Sequence, residues 1–116
     1  NTIIKLNNGT YKKIKDITLN DTLENNIDVI ATMKIKGNEK LYKIYSNTLN
    51  DYIYVTGSHH ILENINNDKY NLDNYIFVNE FKNAVPTDIS NDTYYCLVTS
   101  NHNIPVGEYI FWDWED

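Results

Sequence analysis

Ile27-Asp28-Val29-Ile30-Ala31-Thr32-Met33-Lys34-Ile35-Lys36 alternates along its length, with Val29, Ala31, Met33 and Ile35 on one side and Thr32, Lys34 and Lys36 on the other. A period of two throws successive side chains to opposite faces of an extended chain, so the stretch predicts a half-buried β-strand. Downstream, Gly37-Asn38-Glu39-Lys40 breaks the pattern and residues 41–46 resume as the partner strand. Asp51-Tyr52-Ile53-Tyr54-Val55-Thr56 reads as the next strand, because β-branched and aromatic residues fill a pleated surface, and Gly57-Ser58 ends it. Upstream, Thr2-Ile3-Ile4-Lys5-Leu6 and residues 11–14 flank Asn7-Asn8-Gly9, whose Asn-Gly pair favours a two-residue hairpin turn. Residues 17–23 read as a turn or one loose helical turn.

Residues 75–81, Thr93–Thr99 and residues 109–114 supply further short strands, and the polar, aperiodic residues 63–74 read as a surface loop. Pro86 and Pro105 are expected in the gaps, where a missing amide donor costs no ladder bond. Val29, Ala31, Met33, Ile53, Val55 and Leu97 fall on the apolar faces and are expected to be buried. Seven or eight short strands with no long amphipathic helix predict an all-β fold, a sandwich or folded-over barrel.

The 116 residues suit one domain, residues 1–116, and a hydrophobic share of 41% is enough for its core. All 10 basic residues are Lys and the net charge is −6, which argues against nucleic acid as a partner, since phosphate recognition favours basic faces and Arg forks. No apolar run approaches a membrane span, so no membrane partner is expected either. A lone cysteine, Cys96, forms no internal disulfide, and the chain is read as intracellular and monomeric.

Chemistry-bearing side chains gather at strand ends. Thr56-Gly57-Ser58-His59 sets a hydroxyl and an imidazole on one tight turn, close enough for both to address one carbonyl or amide. An imidazole titrates near neutrality and can protonate a leaving nitrogen; the alternative is an ordinary turn whose histidine caps backbone carbonyls. Cys96 lies mid-strand, where a lone cysteine is either a small buried hydrophobe or, with a base in reach, a nucleophile. His102 sits in the turn after that strand. No metal is expected, because His59 and His60 are adjacent and no spaced cluster completes a tetrahedral set; no cofactor is expected. The acidic, aromatic residues 109–116 read as a terminal strand with a solvated tail, or as a docking strand for a partner.

Three stretches resemble motifs of the Hint (hedgehog/intein) superfamily. Asn1 to Gly9, continuing through Ile14-Lys15-Asp16-Ile17 and Asn20-Asp21-Thr22-Leu23, looks like its opening motif. Tyr54-Val55-Thr56-Gly57-Ser58-His59-His60-Ile61-Leu62 looks like its Thr-x-x-His motif, and Tyr94-Tyr95-Cys96-Leu97-Val98-Thr99-Ser100-Asn101-His102-Asn103-Ile104 is similar to its later motif. The resemblance implies a horseshoe-like, pseudo-two-fold all-β fold and self-cleavage at an N-terminal junction through a thioester or ester. It further implies that Thr56 positions the scissile amide, that His59 protonates its nitrogen, that Cys96 stands where family members place an Asp or an attacking Cys, and that His102 assists proton movement. Its partner would be the flanking polypeptide of a larger, viral or mobile-element-borne protein. The opening Cys or Ser of the family is expected a few residues before Asn1 or is missing, and without a terminal Asn the reading is self-cleavage, not splicing; the alternative is an inactive Hint-like binding or structural module. These side chains are accordingly expected to share one cleft.

Overall fold

Alternation and turn chemistry set most of the strands in the computed structural model, which describes residues 2–113. Ile3–Lys5 (β1) and Tyr11–Lys13 (β2) form the opening hairpin. Its loop is a residue longer than expected: Leu6 N–H donates to Thr10 O at 2.8 Å and Gly9 N–H to Leu6 O at 3.0 Å, with Gly9 at φ +87°. Those bonds enclose three residues, a turn followed by a glycine bulge in the left-handed region. The turn expected within 17–23 is present, with Asp21 N–H donating to Thr18 O at 3.1 Å; a 3₁₀ turn precedes it over Ile14–Asp16, and Thr22–Leu23 is the short strand β3.

Ile27–Lys36 (β4) is a strand, with its odd-numbered residues turned inward. Its partner is not the segment that follows it. β4 pairs antiparallel with Thr93–Thr99 (β10) on one side and with β3 on the other. At the corner Gly37 N–H donates to Asp92 O at 3.0 Å, and a Cβ on Gly37 would sit 2.9 Å from the Tyr94 ring. Held against β10 there, the chain leaves the sheet instead of folding back. Lys40–Ser46 (β5) pairs with Asp51–Thr56 (β6) and with Ala84–Ser90 (β9), in the order β6-β5-β9. A four-stranded sheet completes the set, ordered β11-β12-β7-β8 from Asn103–Val106 (β11), Tyr109–Trp112 (β12), His60–Leu62 (β7) and Tyr75–Phe77 (β8).

Both prolines lie inside strands, Pro86 in β9 and Pro105 in β11, contrary to their expected place in the gaps. Each strand is at the edge of its sheet; a proline's missing N–H is tolerated where that side of the ladder is unpaired. The stretch 75–81 is strand only through Phe77 and then a 3₁₀ turn, Val78–Glu80. Trp114 lies outside the described residues. Strand makes up 54% and helical turns 11%, so the fold is all-β.

Ile4, Leu23, Ile44, Ile61, Val78 and Leu97 form the heart of the main apolar cluster. Of the residues expected to be buried, Val29, Ile53 and Leu97 are, whereas Ala31, Met33 and Val55 are half-buried. The distal half of β4 extends past the cluster, and Val55 lines the cavity described next. Among the described residues no helix is long and apolar enough to cross a membrane.

Candidate functional site

Strand β6 ends at Thr56, which opens the turn Thr56-Gly57-Ser58-His59, closed by His59 N–H donating to Thr56 O at 3.2 Å. Space dictates the glycine: a Cβ on Gly57 would lie 2.7 Å from Tyr42 Cε1 and 3.2 Å from Asn79 Cβ. From outside, the Glu39 carboxylate accepts both the N–H and the hydroxyl of Ser58, each at 2.9 Å. Val78 N–H donates to His59 O at 2.8 Å and Asn79 N–H to Gly57 O at 3.0 Å. Bonds on both flanks of a tight turn leave its side chains little freedom to wander, which is what positioned chemistry requires.

His59 Nε2 lies 2.9 Å from Trp112 O. A carbonyl oxygen only accepts, so the hydrogen is assigned to Nε2, and Nδ1 of the neutral ring is left as an acceptor. Burial pushes the imidazole pKa below its ordinary value; the bond to Trp112 O opposes that, His60 adds to it, and Glu39 opposes it. The ring stands edge-on to Phe111, with centroids 5.8 Å apart. At neutral pH this is an uncharged imidazole in a largely apolar setting.

Thr56, His59 and Cys96 line one cavity of about 160 Å³, whose walls also include Thr2, Tyr54 and Phe111. Such a volume is comparable to the roughly 150 Å³ that accepts a benzene ring, enough for the reacting atoms of one peptide link. Thr2 puts the start of the described chain at that wall, its hydroxyl donating to Tyr54 O at 3.4 Å. Cys96 faces Met33 across the β10–β4 ladder and is half-buried. Burial raises its thiol pKa, so the sulfur is protonated at neutral pH. That is the opposite of what activates a cysteine, whose thiolate is the nucleophile.

Of the four side chains expected in one cleft, Thr56, His59 and Cys96 line this cavity and His102 is not among its lining residues. It occupies a turn at φ +68°. Its ring stacks on Trp112 at 5.0 Å and 14°, and Nδ1 lies 3.1 and 3.2 Å from the two Asp113 carboxylate oxygens. That carboxylate has 0% exposure, accepts Thr99 N–H at 2.9 Å, and belongs to a residue whose own N–H donates to His102 O at 2.7 Å. Tyr109–Trp112 is the expected terminal strand, and Asp113 after it is built into the fold; the rest of the expected tail, residues 114–116, lies outside the described residues.

The chain matches no family model, no curated protein and no solved structure. What the site can do rests on its own geometry. Among the described residues no three of His, Cys, Asp and Glu come together as a metal-binding group. Trp112 and Asp113 are the residues that sequence reasoning missed. Trp112 O fixes the ring of a histidine 53 positions earlier, and no local pattern signals a pairing of that range. Asp113 carries a faint signal, since an acid between two tryptophans is an unusual place for a solvated charge.

Proposed function

We propose that the chain is a Hint-type, intein-like autoprocessing domain that cleaves the peptide bond at its own N-terminal junction, with the first nucleophile supplied by residues upstream of those given. The observation that carries this reading is the cavity shared by Thr56, His59 and Thr2: a hydroxyl, a neutral imidazole and the start of the described chain line one space. A peptide leading into Thr2 arrives beside both groups.

The thiol or hydroxyl of the upstream Cys or Ser attacks the preceding carbonyl carbon. His59 Nδ1 takes the nucleophile's proton and returns it to the amide nitrogen as the C–N bond breaks. The proton lost by sulfur or oxygen is the one gained by nitrogen, so the shift is an isomerisation and needs no co-reactant. An external nucleophile then takes the acyl group and releases the upstream polypeptide. The lowered basicity of His59 suits the second half of this relay, because its protonated form is the stronger acid. Thr56 holds the amide for attack, a contribution of positioning. Cys96, protonated and half-buried, lines the space without attacking.

A precursor encoding the natural upstream residues and a fused partner tests the reading. Dithiothreitol or hydroxylamine should release the partner, and Thr56→Ala should slow release less than His59→Ala does. No release under any thiol, from a precursor that carries the upstream Cys or Ser and is folded by circular dichroism, would sink the reading in favour of an inactive Hint-like module.

A further inference from the structure

The free edge of β6 is open at one end and closed at the other, and this asymmetry points to a partner. β6 is the outer strand of its sheet. In an antiparallel pair, N–H and C=O groups of alternate residues face the partner strand while the others face out. Three contacts fix which is which. Tyr54 O accepts the Thr2 hydroxyl at 3.4 Å from outside the sheet, and Tyr52 N–H donates to the Asp51 carboxylate at 2.7 Å. On the other side of the sheet, the carbonyl of Leu41, which stands opposite Thr56, accepts the Thr87 hydroxyl from β9 at 2.6 Å and so faces away from β6. The outward residues of β6 are therefore Tyr52, Tyr54 and Thr56. Asp51 blunts the edge at Tyr52, the device by which a side chain discourages strand addition. Among the described residues no such cap covers the N–H groups of Tyr54 and Thr56, two positions that line the cavity.

We propose that the polypeptide upstream of the chain docks as an added antiparallel strand on the Tyr54–Thr56 edge. This rests on the reading of the chain as an autoprocessing domain and names how that domain holds its substrate. Thr2 already lies at Tyr54, and the Tyr52 end is capped, so a strand traced back from Thr2 along this edge runs toward Thr56 and the cavity. Its direction is opposite to that of β6. Main-chain pairing of this kind binds an extended segment whatever its side chains, as in other cases of strand addition. It accounts for a site in which Thr56 and His59 flank the line of the incoming backbone.

Amide hydrogen exchange on two proteins tests this: the present chain, and a precursor carrying its natural upstream residues with the upstream Cys or Ser changed to Ala so that it stays intact. Exchange at Tyr54 and Thr56 should slow by about tenfold in the precursor, the worth of a hydrogen bond in an exposed ladder, while Tyr52, already capped, should change little. Equal exchange at Tyr54 and Thr56 in both proteins overturns the docking, whether or not the unaltered precursor cleaves. Uniform slowing throughout the domain overturns it too, because that is general stabilisation and not pairing. Selective protection in a protein whose unaltered precursor fails to cleave would keep the docked strand and remove the chemistry, which separates the two proposals.

Discussion

Trp112 stands between two histidines that the fold treats in opposite ways. His59, which lines the cavity, binds its backbone oxygen, and among the described residues no carboxylate is bonded to the ring. His102 lies flat on its indole, its side chain 39% exposed, and grips a carboxylate that is wholly buried. Their surroundings differ accordingly. A half-buried imidazole whose Nε2 donates to a carbonyl is neutral at pH 7, with Nδ1 left as an acceptor. An imidazole tied to a buried carboxylate anchors the end of the described chain, and a charged or polar pair of that kind stabilises only while both members are present.

The sharpest way to break this division is to remove each imidazole in turn. His59→Ala should slow thiol-induced release from the precursor by about 10²–10⁴-fold, the usual worth of a positioned acid–base group, while His102→Ala should change it by less than about tenfold. Single-turnover release followed on gels measures both. Equal losses in two folded variants would show that the division is false and that His102 reaches the chemistry.

Stability should respond in the reverse sense. Asp113→Ala strips the acceptor from the buried Thr99 amide and from His102 Nδ1, and leaving a buried donor unpaired costs about 1–3 kcal/mol. Urea unfolding should show a lower midpoint at unchanged slope. A midpoint within error of the parent would mean that the Asp113 contacts contribute nothing, and would reopen the His102 side as a site.

Part of this contrast was legible in the sequence and part was not. Strands β4 and β6 could be read residue by residue, because a period of two survives wherever one face is buried, and Thr56-Gly57-Ser58-His59 was visible as a turn carrying two polar groups. Pairing was less legible. The fold-back of β4 onto β5 followed from adjacency, and the packing of Gly37 against Tyr94 overrides it. Strands β9 and β11 were hidden by their prolines, since a proline marks a gap unless the strand is known to lie at an edge, and edges are a property of topology. The anchoring of His59 by Trp112 and of Thr99 by Asp113 spans 53 and 14 positions, so neither leaves a local pattern.

Acid sharpens the comparison further. Burial lowers the folded-state pKa of His59 below 6.5, so between that lowered value and 6.5 the unfolded chain binds a proton that the folded chain does not. Stability then rises with pH across this window, and the His59 contribution is lost as pH falls through it. Urea midpoints measured from pH 7.5 down to pH 5 should decline more steeply in the parent than in His59→Gln, whose side chain does not titrate there. Parallel declines would place the acid sensitivity in some other group and leave His59 without its lowered basicity.

The smallest effect is expected at Cys96, and it separates a cavity wall from a nucleophile. The thiol is half-buried and burial raises its pKa, so alkylation by iodoacetamide in the folded chain should be slow at pH 7.5 and should climb as pH rises toward and past the ordinary thiol range. Fast alkylation at neutral pH would signal a thiolate and return Cys96 to consideration as the attacking group. Cys96→Ala removes one half-buried sulfur, a change of about 1 kcal/mol or less on the scale of a buried methylene, and its opposite number Met33 is itself adaptable enough to settle into the space. Release from the precursor should therefore proceed within about twofold of the parent rate, since no step of the proton relay through His59 uses the sulfur. If release instead stops in a variant whose unfolding midpoint is unchanged, Cys96 takes the acyl group directly, and the upstream Cys or Ser loses its place in the mechanism.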